Sequence, residues 1–213
     1  MRTDDLVLML ATGSRHAGGD AFGRRLPVAL AAGTGIAILQ MTLFLGIRPD
    51  LGSAAAGADF WIKIAVPCAL MAAALGLVLR LGRPGARMGP LPGLAAMPVA
   101  LLWCLAAVSL FGAEPARWPK LLLGETWAVC PFLIAFLAAP MFVSSFWTLR
   151  DLAPVRLRLA GAAAGLLSGA TGAVVYSLHC PEMAYPFVAT WYVLGMLMPV
   201  PLGAYLGPRL LRW

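Results

Sequence analysis

The chain of 213 residues is 61% hydrophobic and only 12% charged, whereas an ordinary soluble domain is about 45–50% apolar and about 25% charged. A single globular core of this size cannot bury that excess, so the composition excludes a soluble protein and predicts one compact membrane domain. The formal charge of +7 comes from basic residues that stand singly between apolar runs. This pattern indicates orientation in a membrane and no direct contact with nucleic acid.

Residues 1–25 are the longest hydrophilic stretch and are predicted to form a separate N-terminal segment. A short helix here would carry Asp4 and Asp5 in its first turn, where they suit the positive end of the helix dipole. Leu6 and Leu10 would then lie on one face of that helix. Such an amphipathic helix can dock into a groove of a partner protein or lie along the membrane surface, and the sequence leaves both open.

Six apolar stretches follow, each long enough to span the ~30 Å hydrocarbon layer as a helix. In chain order they cover residues 26–47, 60–79, 91–111, 127–147, 159–178 and 186–206. The sequence therefore predicts an all-α fold in which a bundle of six transmembrane helices covers residues 26–206 and a short tail covers residues 207–213.

Lysine and arginine are divided unequally between the two sets of segments that flank these helices. Twelve of the sixteen lie in residues 1–25, in the loops near 80–90 and 148–158, and in the tail. Basic residues accumulate on the cytoplasmic side of a membrane, so both termini are predicted to be cytoplasmic. Lys63 belongs to the sparse set and is predicted to extend to the outer interface without a functional role.

The middle thirds of the predicted helices contain no Asp, Glu, His or Arg. Ion-coupled transporters generally need ionisable groups at that depth, so the sequence argues against transport. The fifth helix instead carries Gly161, Gly165, Gly169 and Gly172, a small-residue stripe that predicts close packing against a neighbouring helix.

Cys130 and Cys180 are predicted to lie at similar depth near the outer face, Cys130 about one turn inside the fourth helix. Two thiols on the oxidising side can form a disulfide if their Cα atoms come within about 7 Å. Alternatively, the two cysteines could bind a soft metal together with His179 and Glu182. A third interpretation leaves both thiols unpaired.

No enzyme motif is apparent in the chain. A nucleophile elbow, a phosphate loop and a zinc-protease helix are all absent from the sequence. A membrane thiol oxidoreductase would need an exchangeable dithiol, and the sequence contains no Cys-x-x-Cys. Cys68 and Cys104 lie well inside apolar runs, where a free cysteine behaves as a small hydrophobe. The protein is therefore predicted not to be an enzyme.

Three stretches of the sequence resemble one known family. They are the opening MRTDDL at residues 1–6, the GETW of residues 124–127 followed by Cys130, and the LHCPEMA of residues 178–184 with its continuation through 186–196. These stretches, the length and the six-helix plan resemble the NrsF-type membrane anti-sigma factors, the negative regulators of sigma factor F.

The resemblance implies a bacterial inner-membrane protein that holds an extracytoplasmic-function sigma factor inactive. It also implies that Cys130 and Cys180 sense redox or heavy-metal stress, with no cofactor other than a transiently bound soft metal. The expected contacts with the sigma factor are Asp4, Asp5, Leu6 and Leu10. Two alternatives remain, a small transporter or channel and a membrane thiol oxidoreductase.

Overall fold

Helices account for the membrane-spanning architecture of the chain. The computed structural model describes residues 19–83, 85–152 and 154–212, and it contains no strand within those ranges. The elements in chain order are α1 Gly19–Phe44, α2 Leu51–Ala55, α3 Ala58–Leu81, α4 Leu91–Phe111, a 3-10 turn Pro115–Arg117, α5 Trp118–Leu123, α6 Cys130–Arg150, α7 Leu157–Tyr176, α8 Tyr185–Phe187, a π-helical turn Val188–Tyr192, α9 Val193–Leu197 and α10 Pro199–Leu210.

Six helical segments are long and apolar enough to cross a membrane. They are Arg25–Phe44, Ala58–Leu81, Leu91–Phe111, Cys130–Arg150, Leu157–Tyr176 and Tyr185–Leu210. A helix satisfies its own backbone hydrogen bonds where lipid offers none, which is why apolar runs of this length adopt it. The predicted all-α fold with six such helices is confirmed. The side of the membrane on which each terminus lies stays a prediction.

The predicted amphipathic helix of the N-terminal segment lies outside the described residues. The residues proposed for sigma-factor contact, Asp4, Asp5, Leu6 and Leu10, therefore receive no structural account. The first described helix, α1, begins at Gly19, and its membrane-length part begins at Arg25, one residue before the predicted start of the span.

The most buried helix of the bundle is α7, whereas α1 and α4 are the least buried. Helix α7 contacts α3, α6 and α10. Close approach to α10 depends on glycine, since a Cβ built on Gly161 would lie 2.1 Å from the carbonyl oxygen of Gly203. At Gly169 the same atom would lie 2.1 Å from the carbonyl oxygen of Met196. The predicted packing role of the glycine stripe is confirmed.

The core divides into two clusters of buried side chains. One cluster surrounds Cys130, Cys180 and Tyr192, and the other includes Leu81, Leu149 and Leu211. We call the first region the cysteine end of the bundle; it also contains the connections over residues 45–57, 112–129 and 177–184. The region around the second cluster is the opposite end.

Candidate functional site

Cys130 and Cys180 meet at the cysteine end, although they are fifty positions apart in the chain. Cys130 is the first residue of α6, and Cys180 lies in the connection that follows α7. Both side chains are 0% exposed and belong to the same core cluster. The two sulfurs are not bonded to each other, and the Cys130 thiol is close enough to act on the ionisation of Cys180.

The start of α6 differs from the sequence prediction, which placed Cys130 about one turn inside its helix. Residues 124–129 form turns, and α6 begins at Cys130, whose backbone N–H donates to the Thr126 carbonyl at 2.9 Å. Pro131 is the physical reason, because proline lacks an N–H group and suits the first turn of a helix. The correction places the Cys130 sulfur at the end of the helix, facing the connection that carries Cys180.

The connection after α7 is tightly turned, which fixes Cys180 close to the helix end. The backbone N–H groups of His179 and Cys180 both donate to the carbonyl of Tyr176, each at 3.0 Å. Pro181 follows immediately and restricts the backbone on the other side of the cysteine. Cys180 is therefore held by local geometry as well as by its neighbours.

Two tyrosines form the aromatic wall of the site. The ring centroids of Tyr176 and Tyr192 lie 5.6 Å apart, and both side chains are buried. Tyr192 ends the π-helical turn Val188–Tyr192, a distortion that is frequent at functional sites. Its hydroxyl lies near Cys180 and has no hydrogen-bond partner at ordinary distance among the described residues.

Lys63 is the main residue of the site that the sequence did not predict. The prediction that it extends to the interface is wrong, because its side chain is only 2% exposed. Its Nζ donates to the carbonyl of Cys180 at 2.9 Å and to that of Glu182 at 2.8 Å. The same ammonium lies 5.0 Å from the ring centroid of Tyr192. Lys63 thus ties α3 to the cysteine-bearing connection.

A second cation, Arg48, reaches the same carbonyl oxygen. Its Nη1 donates to the carbonyl of Cys180 at 3.2 Å, and its backbone N–H donates to that of Leu178 at 3.2 Å. The remaining guanidinium donors bind both carboxylate oxygens of Asp50, at 2.7 and 2.6 Å. This pairing raises the pKa of Arg48 and holds the pKa of Asp50 below its ordinary value.

The surroundings of Cys180 favour its thiolate. The hydrogen bond from the Cys130 thiol lowers the pKa of Cys180 most, and the charge of Lys63 and the nearby Tyr192 hydroxyl lower it further. Burial acts in the opposite direction but is outweighed. The net result is a pKa of about 5, against 9.0 for the ordinary thiol.

Glu182 joins the two cysteine-bearing segments through its side chain. Its carboxylate accepts a hydrogen bond from the backbone N–H of Glu125 at 2.7 Å. That carboxylate occupies the place that a side chain on Gly124 would take, at 2.7 Å from an ideal Cβ. Gly124 has a φ of +54°, a conformation in which glycine avoids the strain of other residues. Glu182 therefore fixes the chain just before Cys130.

The predicted four-residue metal set is only partly brought together. The Nδ1 of His179 bonds to the carbonyl of Gly46 at 2.9 Å, and the carboxylate of Glu182 is engaged with Glu125. In the described ranges, no group of three or more His, Cys, Asp or Glu is placed to hold a metal ion. The two cysteines therefore lie together without the other two predicted ligands.

Cys68 and Cys104 lie apart from this site. Cys68 is partly buried within α3, and Cys104 is exposed on α4. Neither belongs to the cluster around Cys130 and Cys180. They are natural internal controls for the chemistry of the other two cysteines.

Comparison with known proteins gives full-length matches. Residues 10–213 match a family model described as the negative regulator of sigma F, NrsF. A relative from Azospira oryzae, named probable anti-sigma-F factor NrsF, is 45% identical over 213 residues, which cover 100% of both chains. A second relative, the anti-sigma-F factor NrsF of Caulobacter vibrioides, is 39% identical over 216 residues, again covering 100% of both. No solved structure matches the chain.

Proposed function

The chain belongs to the NrsF family of negative regulators of sigma F, and from this premise we propose that it is a membrane anti-sigma factor controlled by the thiols of Cys130 and Cys180. The observation that carries the anti-sigma assignment is the identity to two anti-sigma-F factors along their whole length. We propose further that the partner is an extracytoplasmic-function sigma factor, held at the cytoplasmic face of the bacterial inner membrane.

The role of the family is regulatory rather than catalytic. This agrees with the sequence prediction that the protein is not an enzyme, and it is confirmed at the level of the family. The transporter and thiol oxidoreductase alternatives have no comparable support.

The proposed surface for the sigma factor combines the N-terminal segment with the basic connections at the opposite end of the bundle. Asp4, Asp5, Leu6 and Leu10 are the proposed contacts in the N-terminal segment. At the opposite end, Arg158, Arg209 and Arg212 line a cavity of about 550 Å³. Acidic groups on a partner would be attracted to these arginines, and such complementarity favours association.

Thiol chemistry at the cysteine end is the proposed release signal. Forming a disulfide from Cys130 and Cys180 removes two protons and two electrons, which an oxidant accepts. The new bond of about 2.0 Å is shorter than any non-bonded contact between two sulfurs. Its formation draws the Cys130 end of α6 and the connection that follows α7 towards each other.

Helix α7 can carry that shift to the opposite end. Cys180 follows α7 by only four residues, and α7 packs against the backbone of α10 through its glycines. Contacts between backbones leave little room for local adjustment, so a displacement moves the helix as a unit. A tenfold change in sigma-factor retention requires only about 1.4 kcal/mol of difference between two packing states.

Co-purification of the sigma factor with the full chain tests the proposal. The wild type should retain the sigma factor under reducing conditions and lose most of it after treatment with an oxidant. The double variant Cys130→Ser, Cys180→Ser should retain it under both conditions. Parallel treatment with a soft heavy-metal ion asks whether the same two thiols also mediate a metal response.

The matched control is the double variant Cys68→Ser, Cys104→Ser, which removes the same number of thiols elsewhere in the bundle. It should release the sigma factor as the wild type does. If the wild type retains the sigma factor equally with and without oxidant or metal, the sensing proposal is wrong. If the chain binds no sigma factor at all, the anti-sigma assignment is wrong.

A further inference from the structure

We propose that Lys63 is the counter-ion of a thiolate at Cys180, so that Cys180 is the sulfur that reacts first and Cys130 is the thiol that completes the disulfide. The inference rests on the proposed function only in taking these two cysteines as the reactive pair. It assigns different roles to two thiols that the sequence treats alike.

The burial of Lys63 without a carboxylate is the observation behind this proposal. The ammonium is 2% exposed, and in the part of the chain that the structure describes it forms no salt bridge. Two backbone carbonyls accept its hydrogen bonds, at 2.9 and 2.8 Å. A buried charge without an opposite charge is strongly disfavoured, so the protonated form of Lys63 is stabilised by an anion close to it.

The nearby carboxylates are engaged elsewhere. The Glu182 side chain binds the backbone of Glu125, and Asp50 pairs with Arg48. Asp59, four residues before Lys63 in the same helix, accepts a hydrogen bond from the Tyr185 hydroxyl. Of the nearby acidic groups, the cysteine pair is the one left to provide a negative charge for Lys63.

The surrounding groups act unequally on the two cysteines. The charged and titratable side chains that act on Cys180 are Lys63 from α3, Arg48 from the connection after α1, Cys130 from α6, and Tyr176 and Tyr192. Both cations converge on the backbone carbonyl of Cys180 itself. Their positive charge is thus placed at the backbone of the residue whose thiol ionisation is also influenced by Cys130.

A hydroperoxide is the oxidant class with which this assignment can be written step by step. The Cys180 thiolate attacks one peroxide oxygen, the O–O bond breaks, and Cys180 becomes a sulfenic acid. The departing alkoxide takes a proton from solvent and leaves as an alcohol. The Cys130 sulfur then attacks the Cys180 sulfur, the S–O bond breaks, and water leaves with the Cys130 proton. Two electrons pass from the sulfurs to the hydroperoxide.

The pH dependence of alkylation tests the assignment without any sigma factor. The reduced full chain in detergent is treated with iodoacetamide over a range of pH, and each cysteine is quantified by peptide mass spectrometry. Limited access to the buried site lowers the alkylation rate by the same factor at every pH. The pH at the midpoint of the rate profile instead reports how readily the thiol loses its proton, because only the thiolate reacts. The midpoint for Cys180 should lie at least about 2 pH units below that of the same cysteine in the unfolded chain.

Two variants separate charge from packing. Lys63→Met keeps the length of the side chain but removes its charge, and it should move the Cys180 midpoint upward by about 1–3 pH units. Lys63→Arg keeps the charge and should leave the midpoint near the wild-type value. If Lys63→Met does not fold, Lys63→Gln replaces it, and the wild-type profile by itself still decides whether Cys180 is a thiolate.

Three results would overturn the assignment. They are a native Cys180 midpoint equal to that of the unfolded chain, faster modification of Cys130 than of Cys180, and identical midpoints in the wild type and Lys63→Met. None of them bears on sigma-factor binding, so the anti-sigma proposal would survive such a failure. Conversely, a chain that binds no sigma factor could still show the expected pH profile.

Discussion

Gly161 and Gly203 face each other across the interface of α7 and α10, and each occupies the space that a side chain on the other would need. A Cβ built on either glycine would lie 2.1 Å from the carbonyl oxygen of its counterpart. The obstacle is backbone, which cannot rotate aside as a flexible side chain can. We therefore expect the two helices to move together at the opposite end of the bundle.

Replacing Gly203 with alanine should therefore lower the stability of the bundle by about 1–3 kcal/mol, because the helices must separate to admit the methyl group. Thermal unfolding in detergent measures the effect. Gly35→Ala in α1 is the matched control, since nothing lies within 4 Å of the position that its Cβ would occupy. That control should be neutral or slightly stabilising, and an equal loss in both variants would contradict the packing argument.

Gly124 should be sensitive to substitution by alanine for a different reason. Gly124→Ala and Gly46→Ala both place alanine at a positive φ, +54° and +77° respectively, which costs about 1–3 kcal/mol. At Gly124 the methyl group would also displace the Glu182 carboxylate from the backbone of Glu125, whereas the space beside Gly46 is open.

We therefore expect Gly124→Ala to slow disulfide formation between Cys130 and Cys180, and Gly46→Ala to leave its rate unchanged. A gel-mobility or mass measurement of the disulfide after mild oxidation distinguishes them. Equal rates in the two variants would show that Glu182 does not align the cysteine-bearing segments.

The stability of the reduced protein should depend on pH through Cys180. Its folded-state pKa is about 5, below the ordinary thiol value of 9.0, so the unfolded chain binds more protons than the folded chain between these two values. The free energy of unfolding should then rise with pH from about 5 to 9, and the contribution is lost as pH falls through 5.

Comparing melting temperatures of the wild type and Cys180→Ser across this window measures that contribution. The difference in stability should grow in favour of the wild type as the pH increases. Parallel curves for the two proteins would indicate that Cys180 is protonated in both the folded and the unfolded chain.

The N-terminal segment should be required for retention of the sigma factor. Replacing residues 2–12 with a glycine-serine sequence of equal length removes Asp4, Asp5, Leu6 and Leu10 but keeps the spacing to α1. We expect loss of co-purification while the bundle still inserts into the membrane. Undiminished retention would assign the contact to the connections between helices.

The sequence alone predicted the parts of this molecule that follow from local composition. The six spans were found because each apolar run must be helical in lipid, and their ends differ from the predicted ones by at most four residues. Local factors explain two of these differences. Pro131 delays α6 to Cys130, and α10 continues to Leu210, beyond the predicted end at residue 206. There the helix ends with Arg209 in its last turn, where a positive charge suits the dipole.

The site depended on contacts that local patterns do not encode. Lys63 and Cys180 are 117 residues apart in the chain, and Arg48 and Cys180 are 132 apart. A lysine one turn into a transmembrane helix has the same local pattern whether it faces lipid or the bundle. One signal was nevertheless available, because Lys63 is the only lysine or arginine within the six predicted spans.

Sigma-factor release, as proposed, depends on a link between the state of one sulfur pair and the amount of bound sigma factor. The most direct measurement oxidises the purified complex in steps and determines, in each sample, both the fraction of Cys130–Cys180 disulfide and the fraction of sigma factor still bound. We expect the bound fraction to fall in proportion as the disulfide fraction rises. A complex that keeps its sigma factor when the disulfide is fully formed would contradict the proposed mechanism.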